Sequence, residues 1–466
     1  MDAPVVSSWI TFCQLLFPAF TAPSAMTFLH LLTGWTLCRG RAVVTGFVCT
    51  IGASLLDHSS KHWTAYEKFF HRAAWEPDDL GRLLLQQVIE PLLRAQPTED
   101  GDGDNDGGAI DLLIDDTTAD RCGDHVALAG YFKDASVSNT RTKVVHWAHN
   151  WIIAVVPVRV ARWPGWVMGL PVLAALYRKP EDCDAAHPFM TRQQLAGRLI
   201  RQTRQALPNR RIRVKADGQY ATREVAGACF EVAGALISRL RGDSALFDLP
   251  PRTSRAGKRG KPKRRGKRLA TPKAMARNTR GWRTIYLTDP RGAKVRRRIK
   301  SRICLWWHVA GTHPIKMVIV KNPAGKGHRD DYLFSTDPSM SEKQIILGYA
   351  GRWPVEQVIG EAKQHDGLES TQGWCERTVL RQAPLALIKQ TLVKAWYVAN
   401  AAELEKRPPL TQQPWRPPKS HPSYRDMLAS LRLTLWQTRI KDFNSAPGGK
   451  VDPNLAPLQY ALCEAA

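Results

Sequence analysis

Tyr349, Arg352, Glu356 and Lys363, within the stretch YAGRWPVEQVIGEAK, have residue types and a spacing that could do chemistry. Their offsets are 0, 3, 7 and 14. At roughly 100° per residue, an α-helix brings such positions within about 60° of one another. One stripe then carries an aromatic ring, two cations and a carboxylate. An acid that holds a metal cation, flanked by groups that grip phosphate, is what breaking a phosphodiester requires.

Two further acids can join it. Asp116 follows the apolar run Ala109–Ile114, within Asp115-Asp116-Thr117-Thr118, and Asp217 closes the run RIRVKAD. Sites in open α/β sheets form at strand ends. Three carboxylates without His or Cys partners suit a hard divalent ion, Mg²⁺ with Mn²⁺ as substitute. Two such ions about 3.5–4 Å apart would activate a water or 3′-hydroxyl and stabilise the leaving oxygen. Asp115 competes with Asp116, and the two must point to opposite faces of a strand because side chains alternate. Glu361 competes with Glu356 but lies about 140° around the helix from it. Pro354 fits only a first helical turn. The helix holding Glu356 therefore starts near Trp353, with Tyr349 and Arg352 on a preceding turn or helix. A plain Arg352–Glu356 ion pair is the structural alternative to a phosphate-gripping arginine.

The elements that must position these groups follow from periodicity. Residues 1–98 read as helices, with Trp75–Asp79 opening one and Leu80, Leu83, Leu84, Val88 and Leu92 at helical spacing. The uncharged stretch Ala3–Cys38 is broken by Gln14, Pro18, Pro23 and His30, too often for a membrane span. Residues 99–108 (EDGDGDNDGG) form an acidic linker. They match the front of a calcium loop, but Leu113 stands where that loop needs Glu. From 109 the order is strand, strands over 144–160 and 166–177, helix 191–207, strand 211–217, helix 222–232 and strand 235–240. That is an α/β core with a mixed sheet, 109–247. Residues 248–335 hold a basic arm and further strands (284–287, 294–307, 316–321, 332–335). The core resumes over 336–402, and 403–466 is a Pro-rich linker with a helical tail.

The chain carries 67 Lys+Arg against 42 Asp+Glu, a net +25, which points to a polyanion partner. The charge peaks in Arg252, Arg255, Lys258, Arg259, Lys261, Lys263, Arg264, Arg265, Lys267 and Arg268, with no acid among them. Such a run reads as a mobile arm suited to counterion release on a phosphate backbone. Nine scattered cysteines without a CxxC read as reduced cytosolic thiols. His146 and His149 face opposite sides of a strand, so they read as packing residues and not as a metal pair.

The whole resembles a bacterial insertion-sequence transposase of the DDE class, in the cut-and-paste group with the signature Y-x2-R-x3-E-x6-K. Tyr349, Arg352, Glu356 and Lys363 meet that spacing. Asp116-Thr117-Thr118 and Ala216-Asp217-Gly218 match its two Asp motifs, at spacings of 101 and 139 residues along the triad. The resemblance covers about 109–375. It implies a ribonuclease-H-like core interrupted by a β-rich insertion, and an N-terminal helical domain that reads terminal inverted repeats. It further implies that Asp116, Asp217 and Glu356 are catalytic and bind Mg²⁺, that Tyr349, Arg352 and Lys363 contact DNA, and that a homodimer acts on double-stranded DNA at the bacterial nucleoid. Trp306 and Trp307, in the insertion, are the candidates for stacking on a flipped base. A nuclease that does not join strands, or an inactive DNA-binding regulator, are the alternatives.

Overall fold

The computed structural model describes residues 3–51, 61–96, 109–133, 138, 142–251, 263–288, 293–322, 330–370, 373–406 and 415–445. The acidic linker with its calcium-loop pattern, arm residues 252–262, the turn at 289–292 and the tail from 446 lie outside the described residues.

Helices α1 (Ala3–Gln14), α2 (Ala22–Leu37), α3 (Val44–Ile51), α4 (Thr64–His71), α5 (Pro77–Leu84) and α6 (Glu90–Arg94) come first. Their apolar faces, around Trp9, Phe28, Phe47, Phe69 and Trp75, belong to the same core that covers one side of the sheet. Strands β1 (Ala109–Asp120), β2 (Gly130–Lys133), β3 (Val145–Arg159) and β4 (Val167–Tyr177) follow. After them come α7 (Arg192–Ala206), β5 (Arg211–Ala216), α8 (Arg223–Glu231) and β6 (Ala235–Arg239). β3 lies antiparallel between β1 and β4, while β5 runs parallel to β1 and β6 parallel to β5. This mixed sheet is consistent with a ribonuclease-H-like nuclease fold.

Helix α9 (Pro272–Arg277), strands β7 (Arg283–Thr288) and β8 (Lys294–Leu305), helix α10 (Trp307–Ala310), and strands β9 (Pro314–Val320) and β10 (Asp331–Ser335) come next. They do not form a β-unit of their own. β10 pairs with β6, and β9, β8 and β7 follow in the same ten-stranded sheet. The free edge of β6 is thereby paired instead of exposed. β1 also exceeds its apolar run: the ladder with β3 continues through Asp115↔Ile153 to Asp120↔Ala148. Both acids of the pair thus lie inside a strand and not at its end.

The last helices among the described residues are α11 (Glu342–Ala350), α12 (Pro354–His365), α13 (Glu376–Leu404) and α14 (Tyr424–Ser445). The break between α11 and α12 falls where Pro354, at the start of α12, cannot continue a preceding helix. Val355, Val358 and Ala362 recur on one face of α12 and pack on Leu113, Trp151, Ile153 and Val155. The approach is close enough that β4 needs a glycine. A Cβ on Gly169 would stand 2.8 Å from Val358 and 2.9 Å from the Pro354 carbonyl.

The two histidines are packing residues. His146 pairs with Asp120 at 2.6 Å. His149 is fully buried; its Nδ1 accepts from Arg121 Nε at 2.7 Å and its Nε2 donates to the Ala127 carbonyl at 2.9 Å. Burial, with the Arg121 charge beside it, pushes the His149 pKa down to about 4. An unfolded histidine titrates near 6.5, so below that pH the unfolded chain binds a proton that the folded chain refuses. Stability is therefore full above about pH 6.5 and is lost as pH falls towards 4, by up to about 3 kcal/mol. Urea unfolding at pH 7 and pH 5 should show this loss, and His149→Gln should shrink it. An unchanged pH slope in the variant would place the acid lability elsewhere.

Candidate active site

Side chains on β1 alternate between two environments. Leu112 and Ile114 face the core shared with the N-terminal helices, whereas Leu113 faces α12. Asp115 continues the Leu113 face and Asp116 the Ile114 face. The adjacent acids therefore part company.

Asp115 is mostly buried and its Oδ2 accepts from Arg352 Nη1 at 2.5 Å. The other guanidinium nitrogen, Nη2, donates to Glu356 Oε1 at 2.8 Å. One cation thus bridges a strand carboxylate and a helix carboxylate. Burial raises the Asp115 pKa to about 6; Arg352 works against this, while Asp116 and Asp217 add to it. Asp217 follows the last residue of β5, and its Oδ1 accepts from the Tyr349 hydroxyl at 3.2 Å. The Tyr349 ring in turn lies under the Arg239 guanidinium, 5.5 Å from its centroid. Tyr349 sits on α11 and Arg352 in the turn before α12, so the break at Pro354 lets each reach a different aspartate.

Asp116 lies on the reverse face. Its Oδ1 accepts from Tyr220 at 3.0 Å and from Gln219, and its Oδ2 accepts from Asn150 at 3.1 Å with Arg192 at 3.9 Å. Of the three acids named from the sequence, the structure turns Asp217 and Glu356 to one face, and the pleat turns Asp116 away from them. The parity of Leu113 against Leu112 and Ile114 separates the neighbours, but it becomes visible only once α12 is seen docked on Leu113.

The other sequence candidates disperse. Glu361 turns to α13, where it accepts from Lys394 at 2.7 Å and from Gln390. Lys363 pairs with Glu369 at 2.7 Å. Arg252, Arg255, Lys258, Arg259 and Lys261 are outside the described residues. The second half of the basic run is not a free arm. Gly266 and Lys267 exchange backbone bonds with Asp248, Arg268 bridges to Phe247, and Arg265 stacks on Phe247 at 4.4 Å and on Trp307 at 5.5 Å. Lys263, Arg264 and Lys267 stay exposed. Trp306 is buried edge-on against Phe334, a packing position without an open ring face. Trp307 is half-buried beneath Arg265. Trp353, passed over in the sequence, is 62% exposed one helical turn before Glu356; its only sequence signal is its place between Arg352 and Pro354.

Among the described residues, no three Asp, Glu, His or Cys side chains stand close enough to hold a metal ion as arranged. Arg352 lies between two of the candidates. The donor set nevertheless suits a hard cation: it is all carboxylate oxygen, and Asp116 and Asp217 add negative charge beside Asp115 that such an ion would neutralise.

A mixed sheet with carboxylates converging from a strand, a strand end and a helix is the architecture of a metal-dependent, nuclease-type enzyme. The profile of the DDE superfamily endonucleases matches residues 15–302, and the chain belongs to that family. The match includes the acids of β1 and Asp217 and ends before Glu356. Enzymes of this superfamily use divalent metal ions, and their substrate is DNA. No curated protein matches the chain. No helix among the described residues is long and apolar enough to cross a membrane.

Arg352→Gln would leave Asp115 half-buried without its counter-charge, at a cost of about 1–3 kcal/mol. Thermal unfolding without metal should fall accordingly, and added Mn²⁺ should raise the melting temperature more in the variant than in the parent. An equal response to Mn²⁺ in both would show that the guanidinium and the ion do not share this ground.

Proposed function

We propose that the protein is a DNA transposase: it binds the terminal inverted repeats of its element as a dimer and carries out Mg²⁺-dependent strand cleavage and strand transfer. Asp115, Asp217 and Glu356 are the carboxylates that would hold the metal. The observation that carries this reading is the Arg352 guanidinium spanning Asp115 and Glu356 on the face where Asp217 ends β5. That is where a cation of higher charge would be held most strongly. Bound there, Mg²⁺ would lower the pKa of a water or 3′-hydroxyl and stabilise the leaving oxygen of an in-line displacement.

The chain's own groups do the rest. The Tyr349 hydroxyl orients Asp217 through its hydrogen bond. Arg352, released from the carboxylates, is placed to grip a phosphate oxygen in its planar fork. Arg239, stacked on Tyr349, adds a second cation at the same rim. Exposed Lys263, Arg264 and Lys267 present charge to the phosphate backbone. Trp353 offers an exposed aromatic face beside Glu356.

A DNA substrate bearing the element's ends, incubated with Mg²⁺ and a target duplex, tests the reading. Joined products are expected, and cleavage without joining would reduce the protein to a nuclease on the same fold. Asp115→Asn, Asp217→Asn and Glu356→Gln should each lower single-turnover nicking on the order of 10³-fold. DNA affinity should stay within about threefold. Full nicking in any of the three would remove that residue from the site. Replacing Lys263, Arg264 and Lys267 with Gln should flatten the salt dependence of DNA binding, by up to about 0.9 in log–log slope per lost contact. An unchanged slope would show these cations idle.

A further inference from the structure

We infer that Asp116 is a positioning residue: its carboxylate is a strut from β1 to the turn after β5, and it sets where Asp217 stands relative to Asp115. The inference rests on the proposed carboxylate site and assigns the second acid of the pair a different task.

The backbone ladder does not place Asp217. The β1–β5 pairing ends at Ile114↔Ala216, one residue short of both Asp115 and Asp217. Beyond that point the two chains part, β1 continuing along β3 and β5 giving way to the short 3-10 turn Gly218–Tyr220. Something other than the ladder must fix the gap, and Asp116 spans it. Its Oδ1 accepts from both Gln219 and the Tyr220 hydroxyl, two residues of that turn. The turn is closed on itself by the Tyr220 amide donating to the Asp217 carbonyl at 2.9 Å. On its other flank Ser238 donates to that carbonyl at 3.0 Å.

The strut is well seated. Tyr220 is fully buried, and burial pushes its pKa so far up that the phenol stays a donor at every working pH. Asn150 donates to the second oxygen from β3, and Arg192 stands beside it, its guanidinium stacked on Phe132 and Tyr177. Gln193 donates to the Gln219 carbonyl at 3.2 Å, so α7 braces the same turn. Asn150, Gln219, Tyr220 and Arg192, the side chains that bond to or pair with the carboxylate, are all donors. An amide in its place would direct an NH₂ at other donors and leave it without an acceptor. Residues that orient metal ligands in this way typically change metal affinity by 10–100-fold.

The experiment is calorimetric titration of Mn²⁺ into the full-length, metal-free protein, with nicking measured against Mn²⁺ concentration. Asp115→Asn, Asp116→Asn and Tyr220→Phe are compared with the parent. Asp116→Asn and Tyr220→Phe should both weaken Mn²⁺ binding, on the order of 10–100-fold and several-fold respectively. Their maximal nicking at saturating Mn²⁺ should stay near the parental rate. Asp115→Asn should neither bind Mn²⁺ at this site nor nick. The inference is overturned if Asp116→Asn stays inactive at saturating Mn²⁺ while Tyr220→Phe behaves as parent, or if Asp116→Cys exchanges a Mg²⁺ preference for Mn²⁺, since both are marks of direct ligation. Retained binding and nicking in Asp115→Asn would instead sink the site reading itself. Should Asp116→Asn fail to fold, Tyr220→Phe and Gln219→Ala decide the matter, because each removes one end of the strut and leaves the carboxylate; parental Mn²⁺ affinity in both would refute it.

Discussion

The Arg352 guanidinium lies between the carboxylates of Asp115 and Glu356, and the surrounding fold exists to bring those groups within its reach. Two unit charges about 4 Å apart interact by about 4 kcal/mol at the effective dielectric of a protein surface. Carboxylates gathered from β1, β5 and α12 therefore repel unless a cation stands among them. Arg352 supplies that cation from within the chain, and its fork geometry lets one side chain serve two acids. Burial, with Asp116 and Asp217 nearby, still leaves the Asp115 pKa raised despite that cation.

Holding Glu356 in place requires that α12 neither slide nor rotate. Its apolar face on Leu113, Ile153 and Val155 supplies adhesion but little direction. Direction comes from polar anchors at its far end. Asp366, just past the helix, accepts from Lys389 at 2.5 Å and from Tyr424 at 2.7 Å, with the carboxylate and ammonium both inaccessible to solvent. Glu361 accepts from Lys394, which also donates to the Gly169 carbonyl at 2.9 Å. Buried pairs of this kind add little net stability because of their desolvation cost. Their geometry is specific, however, and it ties α12 to α13, α14 and β4 in one register. Gly169 completes the fit by leaving out a Cβ that would meet the helix at Pro354 and Val358.

Much of this was legible in local sequence, and the exceptions share a cause. Pro354 announced the break between α11 and α12, and the angular offset of Glu361 announced that it would turn away from Glu356. The pairing of Arg352 with Glu356, the structural alternative to a phosphate-gripping arginine, was open to them at their spacing of four residues. In each case the information lies within two helical turns. Asp115 and Asp116 are different: alternation says that they diverge, but which one meets Glu356 depends on the side of the sheet that α12 covers, a contact across about 240 residues of chain. The joining of β10 to β6 is likewise a non-local pairing that no window of sequence contains. Trp306 and Trp307, alike as stacking candidates, are told apart only by the packing of Trp306 on Phe334. The basic run misled in the other direction, because composition alone could not show Asp248 and Phe247 holding its second half.

Strand parity also accounts for where the site lies. Register carries one face across the sheet, from Leu113 beside Lys215 to Ile237, Leu333, Val318 and Ser301. On that face two separate apolar clusters form, one beneath α12 and one beneath α11 around Ile237, Ile299, Val318, Leu333 and Ile345. Between them the β1–β5 pair presents Asp111, Asp115, Arg213 and Lys215. Asp111 is bonded to Arg213 and Lys215 at 2.6 Å each, and despite its burial these cations hold its pKa at about 2. This seam lies between the two clusters: Lys215 is buried, and a Cβ on Gly348 of α11 would stand 3.7 Å from its Cε. Each helix is fixed by its own apolar cluster, and the segment joining them brings Tyr349, itself packed against the α11 cluster, to Asp217 and Arg352 to Asp115. The strands and helices that aim these groups are thus fixed by packing on either side of the turn.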